Sequence, residues 1–123
     1  TMSTDTFKPK AYVRAGCPFS FKYLVFMAEA GLLDRIEMIR LNPQDPGFEA
    51  EKQRLSQHLG KAVTFPVVEI EAGRYMTDSD RLIELYAGRE GLEPDGMKVL
   101  SFYKQTILPQ LIELHQIKHP KSG

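Results

Sequence analysis

The only cysteine in this 123-residue sequence, Cys17, is followed by Pro18, Phe19 and Ser20. Proline suits the first position of a helix, which sets the thiol just ahead of one, where free N–H groups and the helix dipole favour thiolate over thiol. Cys17 is therefore a candidate nucleophile. A lone cysteine can also be a small buried core residue, and its place between a strand and a proline is what favours chemistry. Ser20 stands where a second thiol would permit dithiol exchange, so a mixed disulfide on Cys17 must be resolved by a thiol from outside. A second cluster is Asp78-Ser79. A helix N-terminus at Ser79 offers N–H donors and a hydroxyl to a carboxylate, while Asp78 can face an ammonium. Both are also among the commonest helix caps. Arg14, three residues before Cys17, and Lys61, in the loop before Pro66, each read either as ligand contacts or as solvated charges. His58, His115 and His119 lack metal-ligand spacing with Cys17, and there is no glycine-rich phosphate loop. No metal site is expected.

The elements that must position these groups follow from pattern and punctuation. Lys10 to Ala15 is a short strand stopped by Gly16. Phe19, Tyr23, Phe26, Met27 and Ala30 recur at helical spacing up to Gly31. Ile36 to Leu41 predicts a strand closed by Asn42-Pro43. Gly47 to Leu59 predicts a helix with Phe48, Leu55 and Leu59 on one side, ending at Gly60. Val67 to Glu71 and Arg74 to Thr77 flank Ala72-Gly73, a tight hairpin turn. Asp78 to Tyr86 predicts a helix stopped by Gly88. The order β-α-β-α-β-β-α predicts an α/β, thioredoxin-like fold with a four-stranded mixed sheet. Beyond that core, Met97, Leu100, Tyr103, Ile107, Leu111 and Leu114 form an apolar helical stripe that Pro109 must kink or divide. The expected organisation is one domain over 10–88 and a helical extension over 94–118, packed on the domain or in a dimer interface.

Sixteen basic residues balance sixteen acidic ones, so no overall field gathers the chain onto nucleic acid or an anionic membrane. The longest apolar runs are a few residues, and Met2 to Lys10 lacks a hydrophobic signal core. A soluble cytoplasmic protein is expected, starting natively at Met2 and loosely held over Met2 to Pro9 and His119 to Gly123.

Three segments resemble the glutaredoxin and glutathione transferase families, specifically the glutathione-binding N-terminal domain of cysteine-type transferases. Arg14-Ala15-Gly16-Cys17-Pro18-Phe19-Ser20 is similar to the glutaredoxin active site. Thr64-Phe65-Pro66-Val67-Val68 looks like the threonine-valine-proline segment, with Phe65 in place of the usual valine. Met76-Thr77-Asp78-Ser79 resembles the glutamate-serine pair that holds the γ-glutamyl group. The resemblance implies a cis-proline at Pro66 and catalysis by Cys17. It also implies glutathione contacts from Arg14, Phe19, Lys61, Phe65, Pro66, Asp78 and Ser79. The implied activity is monothiol, glutathione-dependent thiol-disulfide exchange on glutathionylated or disulfide substrates. The alternatives are a small glutathione transferase or dehydroascorbate-type reductase, completed by homodimer formation, and a non-catalytic glutathione-binding or protein-interaction module. Iron-sulfur carriage ranks last, since monothiol glutaredoxins that do it usually have glycine where Pro18 stands.

Overall fold

The computed structural model describes residues 7–118, with side chains to residue 114. The expectation of loose ends at 2–6 and 119–123 lies outside the described residues. Strand β1 (Lys10–Arg14), helix α1 (Pro18–Glu29), β2 (Glu37–Leu41), α2 (Phe48–Leu59), β3 (Val67–Glu71), β4 (Arg74–Thr77) and α3 (Ser79–Glu90) follow in the predicted order. Two further helices, α4 (Lys98–Phe102) and α5 (Leu108–Lys118), flank a π-helical turn at Tyr103–Ile107.

The sheet runs β2-β1-β3-β4. Strand β1 pairs in parallel with β2 and antiparallel with β3, and β3 pairs antiparallel with β4. Being central, β1 has neighbours on both edges and cover on both faces, which is why Ala11, Tyr12 and Val13 are all buried. On one face Ala11, Val68 and Ile70 meet Tyr23 and Phe26 of α1 and Leu82 and Ile83 of α3. On the other, Tyr12 and Val67 meet Leu55 of α2. Each fully buried aliphatic or aromatic side chain adds roughly 1.5–3 kcal/mol relative to exposure, so both layers hold the strand ends in place. This is the α/β, thioredoxin-like fold that the element order predicts. The β3–β4 hairpin turns at Ala72-Gly73, with Gly73 at φ +77° and its N–H donated to a Glu69 carboxylate oxygen at 2.9 Å.

Two expectations are corrected. Helix α3 does not stop at Gly88 but runs to Glu90 and ends at Gly91, whose φ of +69° gives the left-handed cap. A glycine inside a helix costs only about 1 kcal/mol, and the buried Ala87 and the Arg35–Glu90 ion pair (3.0 Å) favour the extra turn. The C-terminal stripe also changes phase. The break falls before Pro109, where the N–H of Leu108 reaches back five residues to the carbonyl of Tyr103. One extra residue in a turn rotates everything after it by about 100°. Leu108 is therefore buried while Ile107 and Leu114, expected on the stripe, are exposed. Before the turn the stripe holds: Leu100 is completely buried in the cluster that α1 and α3 build, with Met97 packed against it.

Candidate active site

Helix α1 begins on Cys17, whose backbone is extended and whose sulfur accepts the N–H of Ser20 at 3.4 Å. Ser20 is itself buried, and its hydroxyl accepts the N–H of Arg14 at 3.2 Å. That bond staples the end of β1 to the first turn of α1. The Cys17 thiol lies 3.8 Å from the carbonyl oxygen of Phe65, and the Phe65–Pro66 bond is cis. Pro66 is wholly buried behind this carbonyl.

The loop before Pro66 is tied to the end of β4 by a single hydroxyl. Thr77 Oγ1 shares its hydrogen between the carbonyls of Thr64 and Pro66, the latter at 2.9 Å, and lies 3.1 Å from Thr64 Oγ1. Thr77 leads into Asp78, the one described non-glycine residue with positive φ (+84°). Such a backbone costs of order 1–3 kcal/mol and persists only where surrounding structure enforces it. Asp78 caps α3, its carboxylate accepting the N–H of Asp80 at 3.0 Å.

Of the residues singled out in the sequence, Phe19, Lys61, Phe65, Asp78 and Ser79 line one cavity of about 380 Å³. Cys17 is not among the lining residues, although its thiol contacts the carbonyl of Phe65, which is. Arg14 does not join them. Together with Cys17 itself it lines a second, mainly apolar cavity of about 490 Å³, with Phe21, Leu24, Met38 and Arg40.

Sequence reasoning passed over two residues near Cys17. Lys22 lines the first cavity from α1, its ammonium 2.7 Å from Asp80 and 5.6 Å from the centre of the Phe19 ring. The signal was present: Lys22 shares the apolar helical face of Phe19 and Phe26, where a cation is out of place. Tyr103 donates its hydroxyl to the carbonyl of Pro18 at 2.6 Å and meets Phe21 edge-on. Burial, and then the neighbouring Cys17 sulfur, push its phenol up to about 12, so it remains a donor across the physiological range. Nothing local in the sequence distinguishes Tyr103 from its apolar neighbours.

Residues 16–87 match the family of the glutathione S-transferase N-terminal domain, over more than half of the chain. The chain belongs to this family. No curated protein sequence matches it. Among solved structures, it is similar to glutathione transferase Omega 3C from Trametes versicolor at 16% identity and TM-score 0.57, over 89% of this chain and 51% of that one. It is also similar to a possible glutathione S-transferase from Rhodopseudomonas palustris, at 18% identity and TM-score 0.55, over 90% and 58%. A third similarity is to glutaredoxin 2 from Salmonella typhimurium in complex with glutathione, at 17% identity and TM-score 0.55, over 70% and 35%. At these identities the likeness is one of fold. The chain spans roughly a third to three-fifths of the length of these structures. Among the described residues no group of three His, Cys, Asp or Glu could hold a metal ion, and no described helix is long and apolar enough to cross a membrane.

Proposed function

We propose that this chain is a monothiol, glutathione-dependent thiol-disulfide oxidoreductase acting through Cys17. The reading rests on one observation: the Cys17 thiol contacts the carbonyl of Phe65 at the cis bond, and Phe65 lines one cavity with the Asp78-Ser79 helix start. In this reading the cysteinyl part of glutathione pairs with the Phe65 backbone. Its γ-glutamyl end meets the N-terminus of α3, and Phe19 and Lys61 complete the walls. The Cys17 thiolate attacks the glutathione sulfur of a mixed disulfide. The S–S bond to the substrate breaks, and the substrate leaves as a thiolate that takes up a proton. A new S–S bond joins Cys17 to glutathione. A free glutathione thiolate then attacks this bond, releasing glutathione disulfide and restoring Cys17. The two electrons come from glutathione, since the chain has one cysteine. Such chemistry belongs in a reducing compartment, and we place it in the cytoplasm.

A second reading, transfer of glutathione to an electrophile or reduction of dehydroascorbate, is favoured by the mainly apolar cavity that Cys17 itself lines and that the C-terminal segment helps to wall through Leu111. Arg14 lines that cavity and would contact the departing group or the second substrate. Exposed Phe21, Val99 and Phe102 on the adjoining surface are the basis for proposing a homodimer.

The deciding experiment compares turnover of a small glutathione mixed disulfide by wild type and Cys17→Ser at several glutathione concentrations. Activity is expected in the wild type only, with glutathione in the rate law. Full activity in Cys17→Ser removes the nucleophile. A wild type that binds glutathione but turns over nothing supports the binding-module alternative.

A further inference from the structure

The charge least accounted for by the fold is Lys22. Its side chain is only 6% exposed, whereas that of its partner Asp80 is 72% exposed. A buried ion pair repays its desolvation only where the geometry is excellent and further hydrogen bonds satisfy both partners. Here the cation is sunk and the anion stands in water, where it returns little. Of the three N–H groups on the ammonium, one has an acceptor among the described residues. A methionine would pack the same stem against the Phe19 ring without the cost of desolvating a charge. Packing of the stem alone therefore does not require a lysine here.

The surroundings supply a reason. Lys22 lines the same cavity as Ser79 and Asp78, and its ammonium reaches Asp80 in the first turn of α3. The first N–H groups of a helix lack intrahelical acceptors, and one of them, that of Asp80, is already occupied by the Asp78 carboxylate. A carboxylate entering this corner meets the remaining helix donors and the spare N–H groups of Lys22 together. The charged groups facing the cavity are Lys22 and Lys61 against Asp78 and Asp80, two of each sign, which suits a zwitterion rather than a simple anion.

We propose that Lys22 is the cationic member of the subsite at the start of α3 and binds the α-carboxylate of a γ-glutamyl ligand, while Asp78 takes the ammonium. This rests on the glutathione reading above. It makes Lys22 a determinant of specificity for γ-glutamyl thiols over the corresponding cysteinylglycine thiols.

Titration calorimetry on the full chain tests it with three S-methylated ligands, which cannot exchange disulfides: S-methylglutathione, its glutaryl analogue lacking the ammonium, and its 4-aminobutanoyl analogue lacking the α-carboxylate. Lys22→Met should weaken the first two by about 10-fold or more, as loss of a charge-assisted hydrogen bond does, and leave the third within about 2-fold. Lys22→Arg, which keeps the charge, should retain the preference for the carboxylate-bearing ligands. Both variants should fold, because Asp80 is already solvated, and thermal melting checks this. Equal weakening of all three ligands in Lys22→Met would make Lys22 a structural pin and overturn the proposal. Unchanged affinity for all three overturns it as well, as does loss of the preference in Lys22→Arg. Failure of the wild type to bind S-methylglutathione at all is a separate result: it removes the glutathione reading itself, and this inference with it.

Discussion

The two walls that meet at Cys17 are held in different ways. The wall formed by the β3 loop and the start of α3 is backbone: the cis Phe65–Pro66 bond, the Thr77 hydroxyl across two carbonyls, and the Asp78 cap. Its parts lie within 16 residues of one another, from Thr64 to Ser79, and sit at the end of the central sheet. The wall formed by the C-terminal segment is held by three side-chain attachments to α1. Leu100 enters the core, the Tyr103 hydroxyl bonds the Pro18 carbonyl, and Glu29 caps the start of α4 through the N–H groups of Val99 and Leu100 at 2.9 and 2.8 Å. A backbone wall fixes the position of a ligand. A side-chain wall can be loosened one attachment at a time, so the two should respond differently to substitution.

The largest expected effect is on the backbone wall. Ser79→Ala or Asp78→Ala should weaken glutathione by about 10-fold, the range of one charge-assisted hydrogen bond, while alkylation of Cys17 by a small reagent stays unchanged. Calorimetry beside alkylation rates measures both. Unaltered affinity in both variants would reduce Asp78 and Ser79 to helix caps.

A smaller effect is expected from the other wall. Tyr103→Phe removes the donor to Pro18 and should lower stability by about 1 kcal/mol. It should lower kcat a few-fold with KM for glutathione unmoved, because the first cavity does not include it. A shift in KM instead would show that the two walls are coupled.

The legibility of the two walls in the sequence differs for the same reason. Cys17, Pro66 and Ser79 carry short-range signatures, a helix start, a proline opening a strand and a cap, and the β-α-β-α-β-β-α order was readable from apolar spacing and glycines. Lys22 was visible as a cation on an apolar face and was passed over. The Glu29 cap on α4 joins residues 70 apart, and the Tyr103 bond to Pro18 spans 85; no local pattern encodes either. The stripe loses phase beyond Tyr103 because the break that Pro109 signals falls earlier, at a π-turn that adds one residue.

The smallest expected effect is one of pH on the second wall. Hydrogen bonds from Val99 first, then Leu100 and Lys98, hold the Glu29 carboxyl below the usual glutamate range, against a weaker opposing effect of desolvation. A depressed carboxyl contributes stability that is complete above its unfolded value, near 4.3, and is lost as pH falls through its lower folded value. Acidification below the glutamate range should therefore loosen α4 before the sheet. Hydrogen exchange at the Val99 and Leu100 amides, compared in wild type and Glu29→Ala, should show this pH dependence in the wild type only. The same dependence in Glu29→Ala would assign it to another group.

Ser20 fills, deep in the first turn of α1, the place a second sulfur would need, and its hydroxyl is engaged by Arg14. A pair of cysteines that closes on itself releases two glutathione molecules for each disulfide consumed, so its oxidation depends on total glutathione as well as on how much of it is oxidised. A single cysteine exchanges one for one. Any mixed disulfide that Cys17 makes with glutathione is therefore populated according to the ratio of glutathione disulfide to glutathione, and diluting both together leaves its occupancy where it was.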